Sequence, residues 1–158
     1  MSWISPDQDD VKQRLSGPEF ATVEAEALAT GEGNPWPSLI AEVVEAIRGY
    51  IGGGSPKNTL GAGATIPGSC KRHAMSLVIW DGLTRFGIDR LLTEARKKDY
   101  ESANRYFEKV AAGSIVVEQP ETAATDADFR NREGGVEVVN PEVSTKRKAT
   151  RGRMNGLI

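Results

Sequence analysis

The chain has 158 residues, 39% hydrophobic and 6% aromatic, with a formal net charge of −2; that is one ordinary domain in length but thin in apolar content for a chain packed throughout. The lone cysteine, Cys70, excludes an internal disulfide, and no run approaches the ~18 apolar residues of a membrane span. The opening "MSWISPDQDD" lacks the positive start and apolar stretch of a signal peptide, so the expectation is a soluble protein made in the cytoplasm, with a compact core, no membrane partner and segments ordered by a partner.

The first helix is expected at "SPDQDDVKQRL". Ser5 can cap it, Pro6 suits the first helical position, and Gln8 completes a capping box. A second start follows at "SGPEFATVEAEALA", with Ser16 and Glu19 at capping-box spacing. Phe20, Val23, Ala27 and Leu28 recur at helical intervals, and Gly31 and Gly33 end the run.

"NPWPSLIAEVVEAIRGYI" carries the clearest period. Leu39, Ile40, Val43, Val44, Ile47, Tyr50 and Ile51 form one apolar stripe, with Glu42, Glu45 and Arg48 facing away. Glycines 52–54 stop it, since each costs about 1 kcal/mol against alanine inside a helix. A loop of about fifteen residues then runs to Pro67, a length that is usually functional or mobile.

The next helix starts near "IPGSCKRHAMSLVIWDGLTRF", where Cys70, Ala74, Leu77 and Val78 follow the 3.6 period and Trp80 is expected in the core. Gly82 weakens it and Gly87 ends it. A last helix is expected from Asp89 as cap, with Leu92, Ala95, Ala103, Phe107 and Val110 on one face and Gly113 as its stop. The polar run "RKKD" at 96–99 interrupts that face and marks a possible break. Beyond it the helical period disappears. Ile115 to Val117 and Val136 to Val139 are short β-prone pieces, and Gly134-Gly135 is a candidate hairpin turn.

The charge is unevenly spread. Residues 144–158 hold five basic residues, Lys146, Arg147, Lys148, Arg151 and Arg153, and no acidic one. Residues 1–143 hold fifteen basic and twenty-two acidic. Such a tail either docks on something negative or is simply solvated. From Gln119 onward the chain could reach ~130 Å if fully extended.

"GGGSPKNTLGAGATIPG" invites comparison with phosphate-cradling loops, and fails both tests. Lys57 follows a proline rather than the glycine a Walker loop needs, with Asn58 where Ser or Thr belongs. "GAGATI" places Ile66 where a dinucleotide fingerprint needs its third glycine. A flexible link between antiparallel helices is the expectation. Cys70 and His73 share a helix face, but no second histidine or orienting group supports a nucleophile. Cys70 is expected in the core and His73 at its edge. One His and one Cys exclude an ordinary zinc site, and no calcium loop is present. No catalytic, cofactor or metal residues are assigned. Lys71 and Arg72 lie in the first turn of their helix, the unfavourable end for cations. They either meet an anionic neighbour or are solvated.

"YESANRYFEKVAAGSIVV" resembles the end of the helical core in the Mu-like phage head–tail connector (adaptor) family. "WISPDQDDVKQRL" resembles that family's opening helix. "AIRGYI", followed after a loop by "IPGSCKRHAMSLVIWDGL", is similar to its two central helices. The resemblance covers most of residues 3–117; the 52–68 loop is richer in glycine than the family pattern, and the extension after 118 lies outside it. It implies a non-enzymatic structural protein of the virion neck. Such a protein forms a homo-oligomeric ring, usually a dodecamer, between the portal protein and a stopper or tail terminator, with genomic DNA passing through the lumen.

The expected fold class is therefore all-α: a small helical bundle of four to five helices over residues 1–117, with a long extended C-terminal arm over 118–158 that has room for short β pieces such as Val136 to Val139. Leu39, Val43, Ile47, Leu77, Leu92, Phe107 and Val110 are its expected core. Candidate partner and assembly contacts are Lys57, Lys71, Arg72 and the five basic residues of the tail. The alternative function is a small DNA-binding helical protein using that tail, which requires salt-sensitive binding to duplex DNA.

Overall fold

A computed structural model of the protein describes residues 2–54 and 58–124. In chain order the elements are β1 (Trp3–Ile4), α1 (Gln8–Lys12), α2 (Gly17–Ala29), α3 (Trp36–Gly53), β2 (Ile66–Pro67), α4 (Lys71–Arg85) and α5 (Glu94–Ala111). The described part is all-α, five helices with one two-stranded antiparallel ladder that pairs Trp3 with Pro67 and Ile4 with Ile66.

The apolar stripe of α3 builds the centre. Leu39, Ile40, Val43, Val44, Ile47 and Ile51 are all buried and meet α4 through Ala74, Val78 and Leu83 and α5 through Ala103, Phe107 and Val110. These three helices pack on one another, and Val11, Leu15, Phe20 and Val23 bring α1 and α2 onto the same cluster. Trp36 opens α3 fully buried, its ring stacked on Phe20 at 5.2 Å. Gly82 makes that approach possible, because a Cβ there would lie 3.2 Å from the Trp36 ring and 3.3 Å from Leu39. What reads in sequence as a weak point of α4 is a packing notch.

Several expectations are corrected. The first helix is capped by Asp7, not Ser5, because pairing of β1 with β2 holds the preceding residues extended. The Asp7 carboxylate accepts from the Asp9 and Asp10 amides at 2.9 and 3.1 Å, and the Asp10 carboxylate accepts from the Asp7 amide at 3.2 Å. The second capping arm is where it was expected: Glu19 accepts from the Ser16 amide at 3.0 Å. Leu28 is 73% exposed, beyond the edge of the buried face of α2, and Tyr50 is 41% exposed. Trp80 is only half-buried and stacks on Tyr100 at 5.2 Å.

Asp89–Leu91 form a single 3-10 turn, so α5 starts later, at Glu94, with the Thr93 hydroxyl accepting from the Arg96 amide. Ala95 is accordingly exposed and Leu92 half-buried. The polar run at 96–99 does not break the helix. Arg96 pairs with Glu19 at 2.9 Å and donates to the Leu91 carbonyl, tying the start of α5 to α2.

Residues 115–117 form no strand. Val117 is buried, Val116 is 81% exposed, and the chain runs on irregularly. Val117 is the last buried residue of the described chain, and hydrogen bonds hold the residues after it against the helical body. Glu118 accepts from the Trp3 indole at 2.8 Å through its carbonyl and from the Ser69 hydroxyl at 2.6 Å through its carboxylate. Ala123 bridges Gly61, and the Ala124 amide donates to the Leu60 carbonyl at 2.8 Å. The β-prone piece at 136–139 and the glycine turn at 134–135 lie outside the described residues.

Candidate functional site

The geometry of the glycine-rich loop after α3 is set by Arg48. Expected on the outer face of α3, Arg48 is buried instead. Its guanidinium donates to the Thr65 carbonyl at 2.7 Å and the Gly61 carbonyl at 2.9 Å, and lies 5.9 Å from the centre of the Trp3 ring. A buried arginine is tolerable only when its donors are satisfied, and backbone oxygens of the loop satisfy them here. Gly61 has a specific reason to be glycine, since a Cβ would come within 2.6 Å of the Trp3 ring. Ala62 donates to the Thr122 carbonyl from the same stretch. The second half of the loop is therefore held to its own subunit through Arg48, Trp3 and Thr122. Lys57 lies outside the described residues.

Cys70 and His73 take the places expected of them. Cys70 is fully buried at the start of α4. Burial pushes its thiol up to about 11, against the smaller opposing effect of hydrogen bonds with Tyr106 and Ser69. A thiol so held carries almost no thiolate at neutral pH, and the thiolate is the reactive form. His73 is half-buried with its ring stacked on Tyr106 at 4.2 Å. Burial first, then the nearby charges of Arg72 and Arg14, hold its pKa below the usual imidazole value. Among the described residues no group of three or more His, Cys, Asp or Glu is placed to hold a metal ion. No described helix is long and apolar enough to cross a membrane.

The basic pair at the start of α4 divides. Lys71 forms an ion pair with Asp10, whose carboxylate is almost buried. The anion that its awkward position called for is supplied by α1 within the same chain. Arg72 is exposed. The five tail candidates, Lys146, Arg147, Lys148, Arg151 and Arg153, lie outside the described residues.

A different basic feature is present. Lys98, Arg105 and Lys109 recur seven and four residues apart, and so share one face of α5 over about 16 Å. They line an open groove of about 540 Å³ together with His73 and Tyr106, which contribute their stacked rings, and Glu101. Arg105 reaches Glu101 only at 3.9 Å, along the exposed helix surface. Lys12, Lys71, Arg85 and Arg96 each have a carboxylate partner. Among the described residues, Arg14, Arg72, Arg90, Lys97, Lys98 and Lys109 make no ion pair, and of these only Lys98 and Lys109 line the groove.

Sequence reasoning missed three of these features. Asp10 carried no reading beyond its place near the helix start, Arg48 read as a surface charge, and of the α5 cations only Lys98 was noticed, within the polar run at 96–99. The i, i+7, i+11 spacing of Lys98, Arg105 and Lys109 was the available signal for the last. Comparison with known proteins returns no match, whether to a family model, a curated protein or a solved structure.

Proposed function

We propose that the chain is a structural head–tail connector (adaptor) of a tailed phage, located in the virion neck. In this reading it forms a ring, usually of twelve copies, beneath the portal. It joins the capsid to a stopper or tail terminator and leaves a lumen for the genomic DNA. The observation that supports the reading is the way the chain leaves its core. Among the described residues no helix follows α5. Residues 118–124 run across β1, Ser69 and the Gly61 loop, clasped at Glu118 and Ala124, and 34 more residues follow from that point. A helical core that clamps the base of a long, sparsely apolar and charge-divided extension is suited to assembly, since such a segment gains order from a partner rather than from its own core. A repeated head-to-tail contact closes into a ring when its rotation allows.

The test is truncation after Ala124, which keeps the clasp and removes the extension. The truncated protein should remain folded by circular dichroism and lose its binding to portal-bearing capsids. Unchanged binding to those capsids would sink the assembly role of the extension. The competing DNA-binding reading is tested in parallel: it requires the isolated full chain to bind duplex DNA at low salt and release it as salt rises.

A further inference from the structure

Residues 118–124 lie on the helical body without adding to its core. We propose that they form a releasable strap, which lifts from the body as one unit while α3, α4 and α5 stay folded. Lifting uncovers the Trp3 indole, the Ser69 hydroxyl and the Leu60–Ala62 backbone together. The proposal concerns the isolated chain and stands whether or not the connector reading holds.

Three observations carry it. The first is how the strap is held. Glu118, Pro120 and Ala124 are half-buried, and Gln119, Glu121, Thr122 and Ala123 are exposed. Hydrogen bonds fix it at its two ends. At one end Glu118 accepts from the Trp3 indole at 2.8 Å and the Ser69 hydroxyl at 2.6 Å. At the other, the Thr122 carbonyl accepts from the Ala62 amide at 3.2 Å and the Ala124 amide donates to the Leu60 carbonyl at 2.8 Å. A segment with hydrogen bonds near solvent and no buried apolar side chain belongs at the low end of local stability. The second observation is the space beside it. A cleft of about 180 Å³ is lined by Pro120, Glu121 and Thr122 of the strap and by Trp3, Gly61 and Thr65 of the body. The strap therefore bridges the body more than it packs on it, and Pro120 stiffens its middle so that the two ends move together. The third is that its surroundings do not depend on it. Val117, immediately before it, is buried and pins the chain to the core. The loop under its far end is held by Arg48 through the Gly61 and Thr65 carbonyls. Lifting the strap breaks none of these contacts, so the guanidinium keeps its acceptors.

The test is amide hydrogen exchange of the full-length protein, read by NMR at a series of guanidinium concentrations below its unfolding transition. The Ala62 and Ala124 amides should exchange through one shared opening with a shallow dependence on denaturant, because lifting the strap exposes little surface. The Val44 and Phe107 amides, inside α3 and α5, should show the steep dependence of global unfolding. Ser69→Ala removes a bond at the opposite end of the strap and touches neither reporter amide. It should speed exchange at both by the same factor, roughly tenfold, because a hydrogen bond to a charged acceptor is lost from the closed state alone. Glu118→Ala, which removes the same bond from the other side, should do likewise. Ala62 and Ala124 amides that follow the steep dependence of Val44 and Phe107 would overturn the proposal, since the strap would then leave only when the body unfolds. Either amide failing to respond to both substitutions, or the two responding unequally, would also overturn it, since the ends would then open separately.

Discussion

Replacing Arg48 by methionine tests how the loop is held. Methionine keeps most of the apolar stem and removes the guanidinium, leaving the Gly61 and Thr65 carbonyls without the two donors at 2.9 and 2.7 Å. Hydrogen bonds from a charged donor contribute about 1.5–3 kcal/mol each. Relief of the guanidinium's desolvation offsets part of the loss, so a net destabilisation of about 3 kcal/mol is expected. For a core of this size that is a fall in Tm of about 10 °C. The damage should be local as well as global. The Ala62 and Ala124 amides, which bond to Thr122 and Leu60 in the strapped segment, should exchange hydrogen faster than the amides of α3. Arg48→Lys, with one compact donor group in place of a fork, should fall between wild type and methionine. Thermal denaturation and amide exchange read both effects. A Tm within 2 °C of wild type, with Ala62 and Ala124 still protected, would refute the argument that Arg48 anchors the loop.

Gly82→Val should destabilise the protein by about 1–3 kcal/mol through overpacking against Trp36 and Leu39, measured by urea denaturation. Glu19→Ala should cost about 1 kcal/mol at neutral pH, by removing both the capping bond to Ser16 and the pair with Arg96. The Ser16 amide is the main cause that holds the Glu19 carboxyl below its ordinary 4.5. Its contribution is therefore present above pH 4.5 and lost as pH falls through the lowered value, so wild type and variant should converge in acid. His73 has the opposite charge logic: burial lowers its folded pKa below 6.5, so the unfolded chain takes up the proton first. Stability should decline as pH falls below 6.5, and His73→Phe should flatten that slope in a pH series of melts. Cys70, with its thiol raised to about 11 by burial, should resist a disulfide reagent in native buffer and react fully in guanidinium.

The helices were legible in the sequence because their signals are local. The 3.6 period of α3, the Glu19 arm of the capping box and the stops at Gly31, Gly87 and Gly113, all three with positive φ, depend on neighbours a few residues away. What escaped depends on distant chain. Arg48 looks solvent-facing until the Gly61 loop folds over it. Asp7 replaces Ser5 as cap only because β1 pairs with a strand sixty residues on. Lys71 finds its anion on α1. The groove follows the same rule in part. Lys98, Arg105 and Lys109 share a face by spacing alone, but their meeting with His73 requires α4 and α5 to pack.

The connector reading is tested most directly by electron microscopy of the purified full-length protein mixed with its cognate portal. The account predicts a second ring stacked coaxially on the portal, absent from images of the portal alone and lost on truncation after Ala124. Portals that remain bare at saturating protein, with the chain sedimenting separately, would contradict it.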